Sequence, residues 1–289
     1  MSQRTKAEVS LVMITAIWGA TFTVVKEALL DAAPLPFLAI RFIFAGLLLL
    51  AILWRGRVER AALLPSCILG VFLFGGFLFQ TWGLMYTTPS KSAFLTGFGV
   101  ILVPVIMIFC GVRMRFANLA GGALGLCGIY FLVAPSHMAA VNRGDILTLA
   151  GAVFFAVHIV FVGIYTRRYS FIHLVPVQIL VVGLLSLATL PLTRDRTLHW
   201  TGSLLMAILV TAVLATGVAF SVQNWAQQYT PAAHAALIFA LEPVFAAISS
   251  RLAFGERLGG RVLVGSALIL LGMVISEIWG GSGPSPVNG

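Results

Sequence analysis

Charge is what this chain lacks. Asp, Glu, Lys and Arg make up only 9% of 289 residues, against roughly a quarter in soluble domains. A soluble fold cannot hide the remainder, 60% hydrophobic residues at a mean hydropathy of +1.04. The expected solvent is therefore lipid, which calls for apolar stretches of about 20 residues between short polar loops. Cysteine is also scarce. Cys67, Cys110 and Cys127 lie in apolar sequence without C-x-x-C spacing, so neither a disulfide framework nor a zinc site is indicated. No G-x-x-x-x-G-K-[ST] stretch occurs, which removes a Walker-type ATPase. The histidines at 137, 158, 173, 199 and 234 form neither H-x-x-x-H nor H-E-x-x-H. A membrane-embedded enzyme would need such a constellation or a Ser/His/Asp set, so no enzyme, metal or cofactor is expected.

The net charge of +9 sits in short clusters between apolar runs, for example Arg55, Arg57 and Arg60, or Arg167 and Arg168. Cations placed in this way meet lipid headgroups and set topology. The expected partners are the bilayer and a small-molecule substrate, not nucleic acid. Monomer and homodimer both remain open.

What is present is a duplication. Gln80, Trp82, Tyr86 and Thr87 have the spacing Q-x-W-x-x-x-Y-T, which returns as Gln223, Trp225, Tyr229 and Thr230, 143 residues later. Arg41 with Gly46-Leu47-Leu48 matches Gln178 with Gly183-Leu184-Leu185 at an offset of 137. Gly111-Val112-Arg113-Met114 matches Gly255-Glu256-Arg257-Leu258 at 144. Periods this long do not suit a solenoid, but they do suit the paired structural repeats of many transporters.

Apolar length and Pro, Gly and charge boundaries predict about ten spanning helices, at 8–28, 35–54, 63–84, 90–110, 116–134, 145–166, 173–191, 203–227, 231–254 and 261–279. Five fall in each half. An odd number per repeat sends the second copy into the membrane from the opposite side. The expectation is an all-α polytopic membrane protein of two inverted five-helix repeats, residues 1–143 and 144–279, with a flexible tail at 280–289. Arg4 and Lys6 precede a first run that holds Trp18, Gly19, Thr21 and Thr23 without a clear small-x-small cleavage site, so it reads as a retained helix. Basic residues of the first half favour a cytoplasmic N-terminus, and an even span count returns the C-terminus to the same side. Arg194, Arg196, Arg257 and Arg261 of the second half pull the other way. Small residues such as Gly121, Gly125 and Gly128, or Gly265, Ala267 and Gly272, mark close helix packing.

Trp18-Gly19 in the first span, Arg41 in the second and Leu241-Glu242-Pro243-Val244-Phe245 before Gly255-Glu256-Arg257-Leu258 form an ordered set across two halves. This set resembles the EamA-like carriers of the drug/metabolite transporter superfamily over essentially the whole chain to about residue 279. The resemblance implies a bacterial inner-membrane exporter of small metabolites or drugs, with a central cavity between the halves and spans 5 and 10 towards the periphery. The first half departs from the pattern, because Gly111-Val112-Arg113-Met114 lacks the acid of its counterpart.

Glu242 is the sharpest candidate residue. A carboxylate at mid-bilayer costs about 2.5–3.5 kcal/mol on insertion scales, so it must face protein or a wet cavity. It either pairs with Arg41 or satisfies backbone freed by Pro243, or it serves coupling or substrate capture. Trp82/Tyr86 and Trp225/Tyr229 are i,i+4 stripes, each near a glutamine, Gln80 or Gln223. They read either as interfacial aromatics or, facing the pseudo-two-fold axis, as walls for an apolar or aromatic solute. Arg41, near the start of its span and close to Pro36, reads either as snorkelling to the headgroups or as facing a cavity, and its polar counterpart Gln178 favours the interior. His158 is mid-helix and could be satisfied by a helix carbonyl. Lys26 and Lys91 read as solvated or snorkelling cations.

Overall fold

The computed structural model describes residues 1–53, 59–111, 114–133, 142–254 and 260–279. Within them the chain is helical, with one isolated antiparallel bridge between Ala32 and Leu198. Eight helical segments are long and apolar enough to cross a membrane, and Phe116–Phe131 and Leu263–Ser276 are shorter apolar helices. Large apolar side chains point outward in numbers no aqueous surface would carry, among them Phe109, Phe116, Leu64 and Leu192. Lipid accounts for that outer face. Cys110 and Cys127 share this exposure, and Cys67 is half-buried. The expected tail at 280–289, the pair Val112-Arg113, Arg55 and Arg57, and the stretch Gly255-Glu256-Arg257-Leu258 lie outside the described residues.

The helices begin where polar caps allow. Helix α1 (Gln3–Ala28) starts from Ser2, whose side chain accepts from the Thr5 amide. Helices α2 (Pro34–Leu53) and α3 (Arg60–Tyr86) follow. Thr88 caps α4 (Pro89–Thr96), which is separated by Gly97-Phe98 from α5 (Gly99–Phe109). Helix α6 is Phe116–Val133. Asn142 and Asp145 form a reciprocal capping box at the start of α7 (Arg143–Tyr165), satisfying two orphan donors. Ser170 caps α8 (Phe171–Thr189). Thr201 caps α9 (Gly202–Val210), which runs through a π-helical segment, Thr211–Val218, into α10 (Ala219–Ala226). Helices α11 (Ala232–Phe239), α12 (Glu242–Phe254) and α13 (Gly260–Trp279) complete the described fold.

Three expected continuous spans are therefore interrupted. The stretch 90–110 is two helices, 203–227 changes its hydrogen-bond period in the middle, and 231–254 breaks at Ala240-Leu241. At the last break the cause is Pro243, which has no N–H and would crowd the carbonyl four residues back in a continuous helix. The paired breaks recur in register. Helices α4 and α11 begin at Pro89 and Ala232 and end at Thr96 and Phe239, both 143 residues apart.

Helices pack closely through small residues. A Cβ built on Gly121 would lie 2.6 Å from the Gly272 carbonyl oxygen, and one on Gly128 would lie 2.5 Å from that of Gly265. The rising number on α6 meets the falling number on α13, so the two helices run antiparallel. Gly46 meets Leu180 while Gly183 meets Ile43, which gives α2 and α8 the same relation. Close backbone approach of this kind supplies the van der Waals contact that holds helices together in lipid. The core divides into apolar clusters, one around Phe37, Phe42, Val175 and Ile179, another around Leu11, Ile14, Val103 and Ala235. A cavity lies between them.

Candidate functional site

The cavity has a volume of about 100 Å³ and is partly open to solvent. Its walls come from α1, α2, α3, α7 and α10 and from both broken pairs, α4/α5 and α11/α12. Most of the lining is apolar, with Trp18, Phe22, Phe77, Phe155, Phe220 and Phe239 as its aromatic part. Trp18 is fixed from two sides. Its indole N–H donates to the Ala215 carbonyl in the π-helical segment at 2.9 Å. Its ring stands 5.4 Å from Phe220 and 5.2 Å from Phe239.

Arg41 does not snorkel. It is 3% exposed, and its Nε donates to Thr216 Oγ1 at 2.9 Å. The guanidinium carbon lies 5.0 Å from the Phe42 ring centroid and 4.9 Å from that of Phe77. Stacking on aromatic faces is how a weakly hydrated guanidinium tolerates removal from water. Glu242 stands on the same cavity, at the first residue of α12 and not in mid-helix. The break delivers it there, and an acid is favoured at a helix N-terminus by the helix dipole. Beside it, α1 and α12 touch backbone to backbone, since a Cβ on Gly19 would come 2.6 Å from the Glu242 carbonyl oxygen. Arg41 and Glu242 make no ion pair with each other; among the described residues the pairs are Arg4–Glu8, Lys91–Asp145 and His234–Glu8. The cavity thus presents a cation and an acid that do not cancel by direct contact.

A second polar line runs behind the aromatic wall. His158 Nε2 and Gln178 Oε1 are 2.9 Å apart, Gln178 Nε2 donates to Asn224 Oδ1 at 3.1 Å, and Asn224 Nδ2 donates to the Phe220 carbonyl at 2.9 Å. His158 is therefore satisfied by a side chain of α8 and not by a helix carbonyl. All three residues are buried, and only His158 reaches the cavity. Gln80 Nε2 donates to Thr96 Oγ1 at 2.9 Å, fixing α3 to the end of α4. Gln223 Nε2 donates to Gln227 Oε1 at 3.0 Å, while Gln223 Oε1 is buried without a partner on the cavity wall. An acceptor in that state offers a place to a donor from a solute.

The structure brings Glu242, Arg41, Gln80, Gln223, His158 and Trp18 to one cavity and places Gln178 directly behind it. It does not bring Trp82, Tyr86, Trp225 or Tyr229 there. Tyr86 and Tyr229 are exposed, with Tyr86 under the Arg143 guanidinium at 3.7 Å and Tyr229 edge-on to Trp225. The i,i+4 spacing puts each pair on one face, but that face turns away from the cavity. Lys26 and Lys91 are not solvated ends either. Lys26 Nζ donates to the carbonyls of Leu84, Met85 and Thr87, and Lys91 Nζ lies 2.6 Å from Asp145 Oδ2. Sequence reasoning missed Thr216, Thr96 and Asn224. Asn224 stood inside the repeated motif, where a polar residue in an apolar helix was the available signal.

Fold and cavity together define a multi-pass membrane protein with an aromatic-lined internal cavity. The EamA-like transporter family model matches residues 5–134 and 142–277, and the chain belongs to that family. An uncharacterized transporter of Archaeoglobus fulgidus is 34% identical over 96% of this chain and 87% of its own length. The uncharacterized transporter YoaV of Bacillus subtilis is 23% identical, covering 94% and 96%. The uncharacterized inner membrane transporter YedA of Escherichia coli K12 is 28% identical over about half of each chain. One crystal structure shares the fold at a TM-score of 0.78 and 20% identity, over 96% of this chain and 98% of the other. The protein is a membrane transporter.

Proposed function

We propose that this transporter is a secondary carrier that exports small organic solutes by alternating access. The observation that carries the reading is the cavity itself. It is roofed by aromatics, breaks two helix pairs at its wall, and holds Arg41 and Glu242 without pairing them. Discontinuous helices at a central site are how carriers expose backbone and charge to a solute. A solute with an apolar or aromatic body and a charged or hydrogen-bonding group fits that lining. Glu242 is the group to hold a cationic part of the solute or exchange a coupling proton.

The same reading takes the fold as ten spans in two inverted halves, residues 1–143 and 144–279, with α6 and α13 as equivalent outer helices. The register of the breaks and the antiparallel glycine contacts of α6 with α13 and α2 with α8 support it. Both termini are placed in the cytoplasm, in the inner membrane of a bacterial cell, following the charge bias of the first half. A periplasm-reporting enzyme fused to Gly289 then gives no signal, and an active fusion refutes the orientation.

The function is tested by flux in proteoliposomes, with candidate solutes taken from a metabolite comparison of cells lacking and overexpressing the protein. Saturation with concentration marks a carrier, non-saturating flux a channel. Glu242→Gln keeps shape and hydrogen bonding while removing the charge. It is expected to reduce flux at least tenfold with normal insertion, and unchanged rate and pH dependence remove Glu242 from the mechanism.

A further inference from the structure

Gln223 on α10 and Gln227, which caps the C-terminal end of that helix, make a relay whose direction the backbone dictates. The Ile159 carbonyl on α7 can only accept, so the Gln227 side-chain atom 2.9 Å from it is the amide nitrogen. That turns Gln227 Oε1 towards Gln223, and the Gln223 atom that meets it at 3.0 Å must be the donor Nε2. Gln223 Oε1 is left over. The choice between amide oxygen and nitrogen, ordinarily open to a flip, is closed here at both residues. Gln223 is 2% exposed and lines the cavity, and its Oε1 is buried without a hydrogen-bond partner. Turning the amide over would set oxygen against oxygen at Gln227, so Gln223 cannot mend this by itself.

A second relay between the same helices, by way of α8, has the same sense. Asn224 Nδ2 donates to the Phe220 carbonyl, Asn224 Oδ1 accepts from Gln178 Nε2, and Gln178 Oε1 therefore accepts from His158 Nε2. In the neutral ring Nδ1 is then the acceptor, on another residue that lines the cavity. Glu242, when ionised, adds carboxylate oxygens to the same lining. The donors of Trp18 and Thr21 are already spent, on the carbonyls of Ala215 and Trp18. The lining is thereby weighted towards acceptors, with Arg41 as its charged donor.

We propose that Gln223 is a specificity-determining residue, held as an acceptor by Gln227, and that the polar group it selects on the solute is a nitrogen bearing hydrogens, a primary amine or primary amide. The proposal rests on the reading, given above, of this cavity as the solute site. An N–H from the solute meets an oxygen that is already buried and pinned, so the bond forms without the desolvation cost that would otherwise offset it. A solute with a methyl group in place of that NH2 leaves the oxygen unpaired. Gln227 does not line the cavity and acts as a positioning residue. Its removal frees the Gln223 amide to turn over and offer Nε2 instead, which changes the preference and not only the strength of binding.

Benzamide and acetophenone serve as probes, because they share ring and carbonyl and differ only in NH2 against CH3. Their binding to the protein in nanodiscs is measured by equilibrium dialysis with empty nanodiscs as the blank, and solute flux is measured in proteoliposomes in parallel. The unsubstituted protein is expected to bind benzamide about tenfold more tightly, the effect of one hydrogen bond to an otherwise unpaired buried acceptor. Gln223→Met is expected to weaken benzamide to the level of acetophenone and to leave acetophenone unchanged. Gln227→Met is expected to narrow or reverse the ratio in folded protein, and equal weakening of both probes would reduce Gln227 to a structural residue and overturn its positioning role. Equal affinities in the unsubstituted protein, binding of neither probe, or a preference that survives Gln223→Met, in protein with saturable flux, overturn the donor site and leave the carrier standing. Non-saturable flux in protein that keeps the preference overturns the carrier and not the donor site.

Discussion

Replacing Gly19 by alanine adds one carbon at a close backbone crossing beside the cavity. The new Cβ would sit 2.6 Å from the Glu242 carbonyl oxygen and 2.9 Å from both the Ala246 amide nitrogen and Phe245 Cβ. Ordinary contact begins at 3.4 Å, a shortfall of about 0.8 Å at the oxygen. Two of the three obstacles are backbone, so no side-chain rotation relieves them and α12 must move away from α1. Overpacking of this kind costs roughly 1–3 kcal/mol. At about 2–4 °C per kcal/mol for chains of this size, thermal unfolding in detergent is expected to fall by roughly 2–12 °C. Because the displaced segment is the first turn of α12, transport should fall further than stability alone dictates. Gly99→Ala is the control: Gly99 lines the cavity and an added Cβ there meets nothing within 4 Å, so the variant is expected to unfold at the parent temperature. Identical unfolding temperatures for the two variants would refute the close crossing and the way it positions Glu242.

Gln178→Leu strands His158 and Asn224 together, and at about 0.6–1.7 kcal/mol per interhelical bond in a membrane it should cost roughly 1–3 kcal/mol, read by the same unfolding assay. Arg41→Lys keeps the charge but loses the planar stack between Phe42 and Phe77, so it is expected to lower flux several-fold while Arg41→Met abolishes it. Lys26→Met takes the donor from three carbonyls at the end of α3 and is expected to lower stability by about 0.3–2 kcal/mol without changing the concentration dependence of flux.

The membrane class and the burial of Glu242 and Gln178 were legible because polar residues in apolar helices have few places to go, whereas the helix break that sets Glu242 at the start of α12 was not. The spacing that repeats at an offset of 143 in the sequence returns as the matching bounds of α4 and α11. Helix breaks were not legible: Gly97-Phe98 sits inside an unbroken apolar run, and only Pro243 announces its interruption. Nor was the facing of the aromatic stripes. Spacing fixes that Trp82 and Tyr86 share a face, whereas rotation of the helix about its own axis decides which, and that is settled by neighbours such as Phe154 against Gly75 and Thr148 against Gly83. The three bonds to Asp145 were hidden for a related reason, since their donors Thr87, Lys91 and Asn142 stand at element ends that meet only in the folded chain.

The contact between α6 and α13 has a property that belongs to assemblies of separate chains. Gly121 touches Gly272 and Gly272 touches Gly121, each offering its carbonyl to the other's missing side chain. Such reciprocity is the mark of an isologous interface, the kind that joins two identical subunits across a two-fold axis. In a true homodimer any substitution at that seam enters twice, so both copies must tolerate it at once. Carried within one polypeptide, the seam is released from that constraint: a larger residue on one side can be met by a compensating change on the other. A transporter with such a seam inside one chain is therefore free to change one side of it without changing the other.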